Sequence, residues 1–332
     1  MKNLKLFIFL FALISCKKEN IYYYSDNKPI KNSTTIRFID EELDKLNVNT
    51  KEKNLRIYTT LDSTSYKSNL DSIRNKIFEE ASSLNPEDKK AFDEWFREKI
   101  IVIDNKTRKV VNFYSSFRNE KYDRKDVSMG GLRKFIRIGN ILYKNPDLKT
   151  PDNYLFNYSA ETISGKELEI SKEEAQFLLK FNIGNLKTEG YFYNYISFLD
   201  ALKIFQTYND GLLTQPFTIK KVLHKDKIVY SHKDVSRKIF NQNSLDKIQQ
   251  NLQYYKENSF GAFKNQLKET ESLLFFGYNN IDYFMFINDG KYTYLIYNFS
   301  AVITDWDKKK TKQISNTLMK KAGIRYYNAI RE

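Results

Sequence analysis

The chain has 332 residues, a formal charge of +14 and an isoelectric point of about 9.4, long enough for one large domain or two small ones. Its single Cys and two His exclude a disulfide framework and a Cys-based metal site, and no cofactor is implied. The positive charge alone would suggest nucleic acid, but abundant Lys, Asn, Ile, Phe and Tyr beside 11 Gly and 5 Pro also fit plain solubility and an AT-rich codon bias.

The chain begins with Lys2 and Lys5, followed by an almost unbroken apolar run from Leu6 to Ile14. That run is too short to span a bilayer and reads as an export signal. Leu13-Ile14-Ser15-Cys16 resembles the lipobox of bacterial lipoproteins. The resemblance implies removal of residues 1–15, acylation of Cys16, and a mature protein tethered to a membrane in the cell envelope, facing the periplasm or exterior. A secretory signal that ends in Cys by chance is the alternative. An exported protein rarely meets nucleic acid, so that partner is set aside. Anionic lipid, lipopolysaccharide or cell-wall polymer suit the Lys excess better. Lys17 to Lys53 is polar and rich in Lys, Asn and Ser, and residues 16–53 are read as a tether.

From residue 54 to 332 the pattern is that of one globular domain. Leu55 to Thr60 reads as a strand. Tyr66, Leu70, Ile73, Ile77, Ala81 and Leu84 mark one face of a helix. Asn85-Pro86-Glu87-Asp88 opens a second, short helix. Ile101–Ile103 and Lys109–Phe113 flank a polar turn and predict a hairpin. A helix is predicted from about Ser128–Gly131 to Ile141. Ser171-Lys172-Glu173-Glu174 and Ser197-Phe198-Leu199-Asp200 read as capping boxes. Thr218–Val222 and Ile228–Tyr230 predict a hairpin around Lys225-Asp226, and a helix follows over about 244–256. Strands at Leu273–Phe276, Tyr283–Ile287 and Thr293–Phe299 and a basic helix through Ile314, Leu318 and Ala322 close the chain. The order predicts an α+β fold, a mainly antiparallel sheet with helices on both sides.

Four stretches resemble the transpeptidase domain of class A penicillin-binding proteins, in that family's order. They are Leu55 to Asp62, the hairpin from Ile101 to Val111, Ser197–Leu202 with Tyr208-Asn209-Asp210-Gly211 and Gln215-Pro216-Phe217, and Phe275-Phe276-Gly277-Tyr278. The resemblance implies a truncated transpeptidase/β-lactamase-like fold. The catalytic motifs are degraded. The family's Ser-x-x-Lys nucleophile motif falls on Gly131-Leu132-Arg133-Lys134, so Lys134 fits the motif lysine while Gly131 stands at the nucleophile. Ser128 is an alternative hydroxyl but lies six positions before Lys134, off its helix face; its plainer reading is a helix cap. The family's Ser-x-Asn motif has no match, since Asn157-Tyr158-Ser159 has the wrong order. The Lys-Thr-Gly motif falls on Lys268-Glu269-Thr270, with Glu for Thr and Thr for Gly.

The resemblance therefore implies a transpeptidase scaffold without acyl transfer, a pseudoenzyme that binds peptidoglycan or an envelope protein through Lys134, Lys268 and Thr270. An active enzyme with a displaced serine, and an unrelated envelope lipoprotein, are the alternatives. Other clusters have plainer readings. His224 and His232 are surface or packing residues; Asp93-Glu94-Trp95 is a helix surface. Tyr191–Tyr195 packs or stacks on sugar, and Lys308–Lys310 with Lys320-Lys321 lies on a solvated face or meets an anionic surface.

Overall fold

The computed structural model describes residues 21–50, 52, 54–62, 67–81, 96–117, 126–148, 171–184, 187–189, 193–268, 270–278, 282–300 and 316–331. The predicted export signal with Cys16, the predicted short helix at Asn85, and Asp93-Glu94-Trp95, Asn157-Tyr158-Ser159, Glu269 and Lys308–Lys310 lie outside them. No helix among the described residues is long and apolar enough to cross a membrane.

In chain order the elements begin with β1 (Tyr22–Ser25), β2 (Lys28–Pro29), α1 (Ser33–Lys45), β3 (Leu55–Thr59), α2 (Lys67–Ala81), β4 (Phe96–Asp104) and β5 (Val110–Ser115). They continue with β6 (Asp126–Ser128), α3 (Met129–Lys144), α4 (Lys172–Leu179), β7 (Lys187–Glu189), β8 (Tyr193–Ser197), α5 (Phe198–Asp210) and β9 (Leu212–Thr214). The last elements are β10 (Ile219–His224), β11 (Lys227–Ser231), β12 (Ser236–Lys238), α6 (Gln242–Ser259), β13 (Ser272–Tyr278), β14 (Asp282–Asn288), β15 (Tyr292–Ser300) and α7 (Asn316–Arg331). The chain divides into two compact units, residues 1–60 with 218–232, and residues 61–217 with 233–332.

The first unit corrects the tether reading. Residues 22–45 form β1, β2 and α1, not a spacer. Asn32 caps α1, accepting from the Thr34 and Thr35 amides, and Phe38, Ile39 and Leu43 turn inward. β1 pairs in parallel with β3, and β10 pairs antiparallel with β3, giving the sheet order β11-β10-β3-β1-β2. The predicted hairpin turn at Lys225-Asp226 is present, with φ of 48° and 70°. These left-handed values match the right-handed twist of a two-residue hairpin loop. Asp26 and Asn27 make the same kind of turn between β1 and β2. The unit is discontinuous, closed by bonds such as the Thr60 amide to the Thr218 carbonyl.

The second unit is built on an antiparallel sheet in the order β13-β14-β15-β4-β5. Alternation along these strands sorts the core onto two faces. Phe284, Phe286 and Tyr297 meet Phe198 and Phe205 of α5. Tyr294 meets Tyr327 of α7 on the other face, and Gly323 of α7 lies against Met285. The sheet thus carries helices on both sides, as the sequence predicts. Ser171 caps α4 in a full capping box with Glu174. Ser197 caps α5 through the Asp200 amide and donates its hydroxyl to the Asp200 carboxylate. Gly211, at φ 77°, ends α5 in the left-handed conformation that glycine adopts without a Cβ clash.

Candidate functional site

The second unit brings together the start of α3 and the terminal strand of its sheet. α3 begins at Met129 and packs against β13, α4, α6 and β8. Its inward side chains include Leu132, Phe135, Ile136 and Ile138, spaced for one helical face. Phe135 lies against Phe205 and Tyr208 of α5. At Gly139 the helix passes so close to Tyr208 that an added Cβ would run into its hydroxyl. This glycine is required by packing, not by backbone conformation.

Gly131 and Lys134 sit in the first two turns of α3, one motif spacing apart. Lys134 is half-buried. Its neighbours on the helix are committed elsewhere. Arg133 Nε and Arg137 Nε bond the two carboxylate oxygens of Glu174 at 3.1 and 2.9 Å. Burial opposes a charge on Glu174, but the Ser171 amide and the two guanidiniums outweigh it and hold its pKa below the usual carboxylate range. Ser128 ends β6, where it pairs with Tyr195 of β8, immediately before α3.

The third motif candidate is placed off the strand. Lys268 and Thr270 precede β13, which opens at Ser272. Glu271 organises this turn: its carboxylate accepts from the Lys268 amide at 2.8 Å, from the Tyr327 hydroxyl at 2.7 Å and from Arg331 Nη1 at 2.8 Å. Lys256 of α6 donates to the carbonyls of Lys268 and Glu271, at 3.1 and 2.8 Å. Thr270 lines an open cleft of about 650 Å³ with Asp246, Gln249, Gln253, Glu257 and Ser272. Lys134 is not in that lining. The sequence reading joins Lys134 and Thr270 in one binding groove; of the two, Thr270 lines this cleft. The cleft is lined by carboxylates and amides, the wrong charge for an anionic peptide end.

α6 also covers the edge of the sheet. β13 is the terminal strand. Gln249 of α6 donates to the Tyr208 carbonyl of α5, on one face. Beyond the other end of α6, Phe260 lies under Lys320 of α7, on the opposite face. Between them Tyr255 donates its hydroxyl to the Phe275 carbonyl, and Ser272 donates to Gln249 at 2.8 Å. A peptide pairing along this half of β13 must displace Tyr255. Nothing in the sequence pattern flags Tyr255 or Glu271; each acquires its role from a partner packed against it in three dimensions. Lys320 corrects the reading of a solvated terminal lysine face, since it lies over Phe260 and Phe275 and burial lowers its pKa.

Tyr195 is buried in β8. His224 Nδ1 lies 3.2 Å from Glu52 in the first unit.

No family model and no curated protein matches the chain. Solved structures match it in fold. Penicillin-binding protein PonA1 from Mycobacterium tuberculosis is 12% identical, with a TM-score of 0.52 over 87% of this chain and 88% of that one. Penicillin-binding protein A from the same organism, solved as an imipenem acyl-enzyme complex, is 9% identical, with a TM-score of 0.52 over 94% of this chain and 90% of that one. Penicillin-binding protein 2B from Streptococcus pneumoniae strain R6 is 9% identical with a TM-score of 0.52; the match covers 84% of this chain but only 60% of that one, so the chain spans about three fifths of its length. The fold is α+β and transpeptidase/β-lactamase-like.

Proposed function

We propose that this chain is a lipid-anchored envelope protein whose transpeptidase-like unit has lost acyl transfer and works by binding, to peptidoglycan or to an envelope protein. The observation that carries the reading is Gly131 standing three residues before Lys134 at the start of α3, a helix packed on β13. A covalent acyl transfer needs a side-chain nucleophile beside its base, and removing one typically costs on the order of 10⁶ in rate. The turn at Lys268–Thr270 adds support, since it is tied down by Glu271 and Lys256. Anchoring rests on Leu13-Ile14-Ser15-Cys16.

On this reading Lys134, near the start of α3, serves as a cation for a stem-peptide carboxylate. Co-sedimentation with purified peptidoglycan, wild type against Lys134→Ala, tests this. Wild type is expected in the pellet at low salt and the variant mostly in the supernatant. Wild type left in the supernatant rejects the cell-wall reading. The envelope-protein reading draws on the acid-lined cleft at Thr270, which suits basic or amide-rich side chains of a partner.

A further inference from the structure

The first unit has a sheet with one packed face and one open face. Leu55, Ile57 and Val222 are buried, and Tyr23 donates to Asp40 of α1 at 2.5 Å, so this face points to the helix. Register fixes what the opposite face carries. Tyr22 pairs with Arg56 and Tyr24 with Tyr58 across β1–β3. Lys221 pairs with Tyr58 and Leu223 with Arg56 across β10–β3, and Leu223 with Ile228 across β10–β11. One surface therefore holds three tyrosines, Leu223, Ile228 and two cations. Tyr24 stacks on Tyr58 at 5.2 Å, and Lys221 Nζ lies 4.6 Å over the Tyr58 ring.

The exposed members are large and apolar. Ile228 is 65% exposed and Tyr22 44%. Val229, the extra residue at the β-bulge of β11, is 51% exposed. Lys221, Lys225 and Lys227 are exposed around them. Tyrosine, with an apolar ring and a polar tip, together with aliphatic side chains and a rim of lysines, is the composition that suits a membrane–water interface.

We propose that this face docks on an anionic phospholipid surface. The position of the face in the chain names the occupant, and this step rests on the reading of Cys16 as the lipid attachment. Residues 17–21 alone separate Cys16 from Tyr22, which is itself on the face. Fully extended, that connection reaches about 20 Å. An acylated Cys16 thus holds β1 close to the headgroups, where the lysines gain from a negative leaflet and Ile228 and Tyr22 can enter the interfacial layer. The anchor alone is then supplemented by a second, protein-borne contact.

The test uses the full mature chain carrying Cys16→Ser, which removes the lipid and leaves only the face. It is sedimented with phosphatidylglycerol–phosphatidylcholine vesicles and with pure phosphatidylcholine vesicles. The chain is expected to pellet with the anionic vesicles at low ionic strength and to be released by salt. Lys221→Glu with Lys227→Glu is expected to weaken partitioning at least about tenfold. An Ile228→Trp variant reports depth: its added fluorescence is expected to be quenched by brominated acyl chains. These positions are exposed, so circular dichroism is expected to be unchanged. A chain left in the supernatant with anionic vesicles overturns the proposal, and so does bound protein whose added indole is not quenched. Neither result touches Cys16, because anchoring is read separately, from membrane fractionation in cells of Cys16→Ala in a chain that also carries Lys221→Glu and Lys227→Glu.

Discussion

Gly131 has no side chain, and the proposed loss of acyl transfer rests on reading it as the nucleophile position, three residues before Lys134 on α3. Both positions come from the resemblance to the Ser-x-x-Lys motif, and the structure places both on one helix. A second residue matters for stability. Glu98, on β4, is fully buried, and burial pushes its carboxyl up to about 7 against the lowering influence of Arg74, Ser116, Tyr114 and Arg97. Arg74 Nε stands 3.9 Å from Oε2, and the Tyr114 hydroxyl donates to Oε1 at 3.3 Å. The unfolded chain ionises Glu98 near 4.5. Between these values the folded state holds a proton that the unfolded state has released, so stability falls as pH rises through this window and levels off above it. At pH 8 the folded state carries the full cost of the charge, up to about 3 kcal/mol at ~1.4 kcal/mol per pKa unit. Glu98→Gln is expected to raise the thermal midpoint at pH 8 and to lose most of that gain at pH 5. Equal midpoint shifts at the two pH values would reject the assignment.

Elements built from local signals agree with the structure, and those built from distant ones do not. The β4–β5 and β10–β11 hairpins, the three-strand meander β13–β15 and the caps Ser171 and Ser197 are present as the sequence predicts. Each is encoded by alternation, a turn or a cap within about ten residues. The first unit escaped because β1 and β2 are short, α1 shows only a thin stripe of Phe38, Ile39 and Leu43, and the strands that complete the sheet arrive at residue 219. Composition in such a segment imitates a tether. The α3–α4 junction has the same character. Ser171-Lys172-Glu173-Glu174 announces a capping box, but nothing local tells that Glu174 also receives Arg133 and Arg137. Glu174→Ala is expected to cost about 2–4 kcal/mol, since it removes the N3 half of the capping box and a buried carboxylate shared by two guanidiniums. The urea midpoint checks it. Because the folded pKa of Glu174 lies below the usual value, this contribution is present above the unfolded pKa and is lost as pH falls through the folded one. The deficit of the variant relative to wild type is therefore expected to shrink in acid.

At the scale of the whole molecule, the chain holds a transpeptidase-like unit and a small discontinuous unit, and the proposed function adds a lipid anchor at Cys16. Anchoring predicts that Cys16→Ala is released from the membrane fraction or keeps its signal; a processed variant that still fractionates like wild type contradicts it, provided the first unit's open face has been neutralised by Lys221→Glu and Lys227→Glu. The central claim concerns chemistry, and intact mass spectrometry tests it most directly. Purified chain is incubated with benzylpenicillin, alone and as Gly131→Ser. Wild type is predicted to keep its mass. Gly131→Ser is predicted to do the same, because Lys268 and Thr270 remain off the strand, in the turn held by Glu271 and Lys256. A stoichiometric penicilloyl adduct on wild type, mapped to Ser128 or to any other hydroxyl, would contradict the account.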